Sequence, residues 1–190
     1  MAKRILLLAS GAGSLAASIL KAAESGEIDA KVCRVISDRS APVLELAESF
    51  GVPGTLVEFS QFNSRESWGV AMENIVASDS VDLVVSVGFM RILPSSFVHR
   101  FPTINTHPAL LPLFPGAHAV GDALLAGAIE TGTSVHWVDA GVDTGKVISQ
   151  IKVGIEVGDT EESLHERIKI QERKLIVETL KKFGTTGLQK

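Results

Sequence analysis

The chain alternates short, almost uninterrupted apolar runs with longer segments whose apolar residues recur every three or four positions. Residues 4–9 (RILLLA) form a continuous apolar run bounded by Gly11, the pattern of a strand buried on both faces. In residues 14–24, Leu15, Ile19, Leu20 and Ala23 fall at helical spacing, and Gly26 closes the segment. The cycle then repeats. Residues 30–37 (AKVCRVIS) predict a second strand, and 41–50 predict a helix with Val43, Leu44, Leu46 and Ala47 on its apolar side. A third strand is expected over 55–59, a helix over 64–77, and a fourth strand over 81–87 before Gly88. Strands alternating with helices of this length require right-handed crossovers. The expected fold class is therefore α/β, a mainly parallel, open twisted sheet with helices on both faces, Rossmann-like.

The second half is less regular. Residues 101–107 read as a strand, whereas 108–115 holds three prolines in eight positions and cannot be a helix. Helix returns over 117–126, and 133–138 and 146–153 read as two strands joined by a Gly-rich turn. The last helix is expected to start at Asp159, with Glu162 completing a capping box. Leu164, Ile168, Leu175, Ile176, Leu180 and Phe183 form its apolar stripe, and Gly184 is expected to stop it. No repeat, low-complexity tract or linker interrupts residues 1–190, so a single domain is expected.

Composition narrows the class. Hydrophobic residues make up 45% and charged residues 21%, which excludes disorder. With 22 acids against 18 bases the formal charge is −4, no footprint for nucleic acid or an anionic membrane. The single cysteine, Cys33, allows neither an internal disulfide nor a paired-thiol zinc site, and its strand context makes it a small buried hydrophobe. The apolar start is too short for a signal peptide and runs straight into a glycine turn. A soluble, cytoplasmic protein is expected.

Three segments could carry chemistry. Gly11-Ala12-Gly13-Ser14-Leu15-Ala16 lies between a strand and a helix, where glycines let backbone N–H groups approach a phosphate. Read as GxGxxA with Asp38 at the end of the second strand, it also meets a loose dinucleotide pattern, so an NAD-binding oxidoreductase or a sugar-phosphate sensor stays open. Asn105-Thr106-His107-Pro108 ends a strand, which puts Asn105 and His107 on one face. An amide donor beside an imidazole suits a reaction that builds negative charge on a carbonyl oxygen. Gly141-Val142-Asp143-Thr144-Gly145 alone reads as an ordinary turn. Were Asp143 to reach His107, it would stabilise the imidazolium and orient the ring. His99 and His165 read as surface groups, while His118 and His136 are ambiguous. No GxSxG elbow, HExxH helix or Walker loop is present. Without a nucleophile, direct transfer between two bound substrates is the simpler chemistry.

In combination these segments resemble the glycinamide ribonucleotide formyltransferases of purine biosynthesis. The likeness runs from the GAGS loop through Gly88-Phe89-Met90-Arg91-Ile92-Leu93, NTHPALLP, Phe114-Pro115-Gly116, Gly132-Thr133-Ser134-Val135-His136 and Asp143-Thr144-Gly145 to Gln171-Glu172. It implies the formyltransferase version of the α/β fold and formyl transfer from 10-formyltetrahydrofolate to the amine of glycinamide ribonucleotide. By resemblance Asn105, His107 and Asp143 match the catalytic trio, and Gly13, Ser14 and the Leu15 backbone match the phosphate loop. The usual pattern has Asn where Leu15 stands, so a side-chain donor is missing there. Arg65 matches an arginine near the substrates and Glu172 an acid on the ribose. Met90, Arg91, Ile92 and Leu93 match the folate-pocket wall, over which the 139–145 loop would close. The resemblance calls for no metal; its partners are the two small substrates, with a homodimer allowed and neither nucleic acid nor membrane involved. A hydrolase releasing formate from the folate and a transferase acting on methionyl-tRNA share the fold. The 190-residue length and the acidic charge weigh against the tRNA acceptor.

Overall fold

The computed structural model describes residues 2–188. Its elements in chain order are β1 (Lys3–Leu8), α1 (Ser14–Glu24), β2 (Ala30–Ser37), α2 (Pro42–Ser49), β3 (Gly54–Leu56), α3 (Arg65–Asp79), β4 (Leu83–Ser86), α4 (Ser95–Arg100), β5 (Thr103–His107), α5 (Ala119–Leu125), β6 (Glu130–Trp137), β7 (Val147–Gly154) and α6 (Glu161–Thr186). The strands form one seven-stranded sheet in the order β3-β2-β1-β4-β5-β6-β7. Pairing is parallel from β3 to β5 and antiparallel from β5 to β7. Chain order reverses between β1 and β4. Such switch points open a crevice beyond the carboxyl ends of the strands, and the Gly11–Gly13 turn and the segment after Gly88 both leave the sheet there.

The two-residue period of β1 divides the core. Ile5 and Leu7 pack with α1, α2 and α6 on one face, while Leu6 and Leu8 pack with Trp68, Met72, Val76 and Phe97 of α3 and α4 on the other. A smaller cluster of Val120, Val153, Leu164 and Ile168 ties α5 and β7 to α6. No helix among the described residues is long and apolar enough to cross a membrane.

Four departures from the sequence reading have physical causes. The third strand stops at Leu56, and Phe59–Gln61 forms a 3-10 turn because the Phe59 ring packs edge-on against Trp68, 5.5 Å between centroids. The helix α4 is six residues long, too short to register as a period; Pro94 precedes it and Phe97 and Val98 anchor it. The cap of α6 is Thr160, not Asp159: its hydroxyl accepts the Ser163 N–H at 3.2 Å and Ser163 Oγ accepts the Thr160 N–H at 3.0 Å. Asp159 instead binds Arg167. Finally, α6 runs through Gly184 to Thr186, because the missing side chain lets the helix approach Asp29, whose Cβ and carbonyl oxygen would lie 3.1 Å from a Cβ at that position.

Candidate active site

The end of β5 meets the antiparallel strand β6 in a register that places Asn105 opposite His136 and His107 opposite Ser134. Cross-strand partners share a face, so Asn105, His107 and His136 stand together. Asn105 Nδ2 lies 3.3 Å from His136 Nε2, and His136 Nδ1 lies 2.9 Å from the Trp137 carbonyl oxygen. A carbonyl only accepts, so Nδ1 donates to Trp137, and Nε2 is the ring atom turned to Asn105. The half-buried Asn105 amide is thereby held beside this ring.

Asp143 does reach His107. Its Oδ2 lies 3.3 Å from His107 Nδ1 and accepts the Gly116 N–H at 2.9 Å, while its Oδ1 lies 3.4 Å from His136 Nε2. His107 Nε2 sits 2.8 Å from the Phe114 carbonyl oxygen. Both His107 nitrogens thus face oxygen atoms that can only accept. Burial pushes the Asp143 carboxyl up, but the His136 contact, the Gly116 N–H and the nearby ring charges outweigh it and hold the group below the ordinary carboxylate range.

The loop presenting Asp143 is built for close approach. Asp139 Oδ1 accepts the Gly141 N–H at 3.0 Å and the Thr144 hydroxyl at 2.7 Å, fixing the loop across its base. Asp143 itself takes a left-handed φ of 55°, uncommon for a non-glycine residue. The segment that follows His107 is fixed separately. Buried Ser134 Oγ donates to the Ala109 carbonyl at 2.6 Å and accepts the Leu111 N–H at 3.0 Å, tying the 108–112 turn to β6.

A cavity of about 210 Å³ opens between α4 and the loop after β6, the loop that also carries Asp143, and is lined by Val98, His99, Val138, Asp139 and Ala140. A larger groove of about 420 Å³ between β7 and α6 contains none of the reacting groups. Its lining cations Lys152 and Arg167 are already paired with Glu130 and Asp159, so it offers no chemistry.

The glycine turn lies across the switch point. Gly13 has φ 79°, and a Cβ there would stand 2.5 Å from Val43 Cγ2, so α2 packs directly on the turn. No side chain caps α1 and no acid occupies its first turn, which leaves the first N–H groups and the positive helix end for an anion. The Leu15 side chain is buried in the core cluster beneath; its backbone N–H alone faces this end.

A formyl transferase family model matches residues 3–180. The phosphoribosylglycinamide formyltransferase of Mycobacterium tuberculosis is 48% identical over 187 residues, covering 97% of this chain and 86% of the relative. The chain belongs to this formyltransferase family. The trifunctional purine biosynthetic protein adenosine-3 of Drosophila pseudoobscura pseudoobscura is 40% identical over 175 residues, 90% of this chain but 13% of that longer protein. The crystal structure of glycinamide ribonucleotide transformylase 1 from Symbiobacterium toebii superposes with a TM-score of 0.93 at 37% identity, covering 96% of this chain and 87% of the other.

Within this formyltransferase the remaining sequence candidates divide. Arg65 begins α3, is exposed, and makes no hydrogen bond or ion pair among the described residues; the structure does not bring it to the Asp143 cluster. In the 88–93 segment Met90 and Ile92 are exposed, Leu93 is buried, and the Arg91 side chain is turned to Asp38. That pairing removes the dinucleotide reading: the Asp38 side chain is fully buried, and both oxygens are taken by Ser10, Arg39 and Arg91, leaving nothing for a ribose.

Glu172 is not a solvated helix residue. It is 4% exposed on the inner face of α6, and among the described residues its carboxyl has no hydrogen-bond partner. Burial raises its pKa to about 7 against the pull of Lys169 and Arg173. Because the folded state binds this proton more tightly than the unfolded chain, stability falls as pH rises from the ordinary carboxylate range to about 7. Glu172→Gln should therefore stabilise the unliganded protein at pH 8 by on the order of 1–3 kcal/mol, with little change at pH 5. Urea unfolding of both proteins at the two pH values measures this, and equal midpoints at pH 8 would refute it.

Sequence reasoning leaves His136 undecided and gives Asp139 no role. His136 emerges only through the β5–β6 register, whereas Asp139 has a local signal in its Asx-type spacing to Gly141 and Thr144.

Proposed function

We propose that this formyltransferase moves the formyl group of 10-formyltetrahydrofolate to the amine of glycinamide ribonucleotide, by direct attack through a tetrahedral intermediate, in the cytoplasm. The observation that carries the reading is the convergence of Asn105, His107, His136 and Asp143 at the end of β5, Asp143 coming from the loop that also lines the cavity. The Gly13–Leu15 turn offers backbone N–H groups to the ribonucleotide phosphate. The buried, unpaired Glu172 carboxyl suits the ribose hydroxyls. The apolar cavity walls Val98, Val138 and Ala140, continued by Leu93, suit the flat pterin.

Attack of the amine on the formyl carbon leaves a negative oxygen. The Asn105 amide and the positive charge of His107 stabilise that oxygen, with Asp143 holding the charge in place. The His107 Nε2 proton is engaged by Phe114 in the free enzyme, so the ring acts by its charge unless the substrate displaces that carbonyl. The proton lost by the amine must reach the leaving nitrogen of the donor, and a water held by Asp143 would carry it. An absorbance assay with 10-formyltetrahydrofolate, run with and without glycinamide ribonucleotide, tests the reading. Ribonucleotide-dependent consumption is expected; consumption without it would identify a hydrolase, and none in either case would reject the proposal.

A further inference from the structure

We infer that Asp38 is a positioning residue for the formyl donor, holding the 88–91 backbone in place through Ser10 and Arg91. The inference rests on the donor pocket proposed above, to whose wall this segment contributes Leu93.

The segment from Gly88 to Pro94 has no helix or strand of its own, and Met90 and Ile92 stand exposed at 66% and 51%. Its conformation is therefore set by outside contacts, and these lead to one carboxylate. Ser10 Oγ accepts the Met90 N–H at 2.8 Å and donates to Asp38 Oδ1 at 2.5 Å. Arg91 Nε donates to Asp38 Oδ2 at 2.8 Å. The Ser10 N–H meanwhile binds the Gly88 carbonyl at 3.1 Å. Two successive residues of the segment, 90 and 91, are thus tied to opposite oxygens of Asp38.

A second set of contacts closes the ring. The Asp38 carbonyl accepts the Phe59 N–H at 3.2 Å, and the Phe59 ring lies under the Arg91 guanidinium, 4.4 Å from centroid to carbon. Phe89 stacks on Trp68 with centroids 6.0 Å apart. Arg39 takes the remaining acceptor sites of Asp38. Burial penalises the carboxylate, yet Arg39, Ser10 and Arg91 outweigh it and hold its pKa at about 2, so the charge is permanent near neutrality. Asn in its place would keep the shape but turn an amide N–H or a neutral oxygen toward two guanidinium groups. With the amide N–H on the Arg91 side the guanidinium is released, and with it on the Ser10 side the hydroxyl loses the acceptor that orients it, so one of the two ties is broken and the other weakened.

Asp38→Asn should raise the KM for 10-formyltetrahydrofolate about tenfold or more while the KM for glycinamide ribonucleotide stays within about twofold. Calorimetric titration with tetrahydrofolate should show the same loss of affinity without turnover. Ser10→Ala, which removes the tie to Met90 and leaves the Arg91 pair, should show a smaller rise in the donor KM. Arg91→Lys, which keeps a cation for Asp38, should lose less than Arg91→Ala. If Asp38→Asn does not fold, the Ser10 and Arg91 variants decide. An unchanged donor KM and tetrahydrofolate affinity, or equal losses for both substrates, would overturn the inference. Failure of the unmodified protein to bind tetrahydrofolate would instead reject the donor pocket itself.

Discussion

Asp143→Asn should lower kcat by roughly 10³-fold in a protein that stays folded near neutral pH. The substitution keeps volume and removes the charge that both His107 and His136 face at 3.3 and 3.4 Å. It also puts an amide where one carboxylate oxygen accepts the Gly116 N–H. His107 then loses the counter-charge that favours its imidazolium, so the stabilisation of a developing oxyanion is lost with it. His107→Ala should cost a similar factor. Residues acting as one unit are not additive, so the double variant should fall little below either single one. Single-turnover rates on the three variants, with circular dichroism to verify folding, measure this. Retention of more than about a tenth of the rate in both Asp143→Asn and His107→Ala would mean the cluster is not the reacting centre. Acid stability gives a second readout. The lowered Asp143 pKa contributes stability that is present above the ordinary carboxylate pKa and lost as pH falls through the lowered value, so Asp143→Asn should make the protein less sensitive to acidification over that range.

The second large effect should come from a residue with no functional group. A Cβ on Gly145 would stand 1.7 Å from the Trp137 carbonyl oxygen and 2.7 Å from its carbonyl carbon. The obstacle is backbone, and it belongs to the strand that carries His136. Trp137 also closes the loop by donating its N–H to the Lys146 carbonyl at 2.9 Å. Gly145→Ala must therefore push the 139–145 loop outward, and Asp143 travels with it. A displacement of about 1 Å in a reacting group can cost on the order of 10²-fold. We expect a loss of kcat of about that size, together with destabilisation of about 1–3 kcal/mol. Steady-state kinetics paired with urea unfolding separate the two effects. Full activity in Gly145→Ala would show that the position of Asp143 is not set by this close approach.

Much of the architecture is legible in the sequence because it rests on local patterns. The apolar runs of β1 and β4 and the glycine between β1 and α1 announce a parallel sheet without any knowledge of contacts. The Asn105 and His107 pair is legible for the same reason, since the strand period alone puts them on one face. The α6 cap shifts by one residue because Asp159 and Thr160 both offer a capping oxygen; Arg167, two turns further on, claims Asp159. Asp38 departs from its sequence reading for a related reason. Its position after β2 fits a ribose acid, but Arg91 is 53 residues away in the chain and no local pattern discloses the pair.

Local patterns along the chain set the layered α/β plan, the glycine turn at the start of α1, and which residue types could stabilise a developing oxyanion. Tertiary structure alone decided which of those residues meet. Asp143 reads as an ordinary turn until the hairpin of β6 and β7 returns it to the end of β5, where it faces two histidines and the Gly116 N–H. The burial of Glu172 follows only from the packing of α6, and Asp38 fits a loose dinucleotide pattern until two arginines close on it. The reason is physical. Propensity and hydrophobic period act over a few neighbouring residues, whereas the charge state and availability of a side chain depend on burial and on partners brought together by long-range packing.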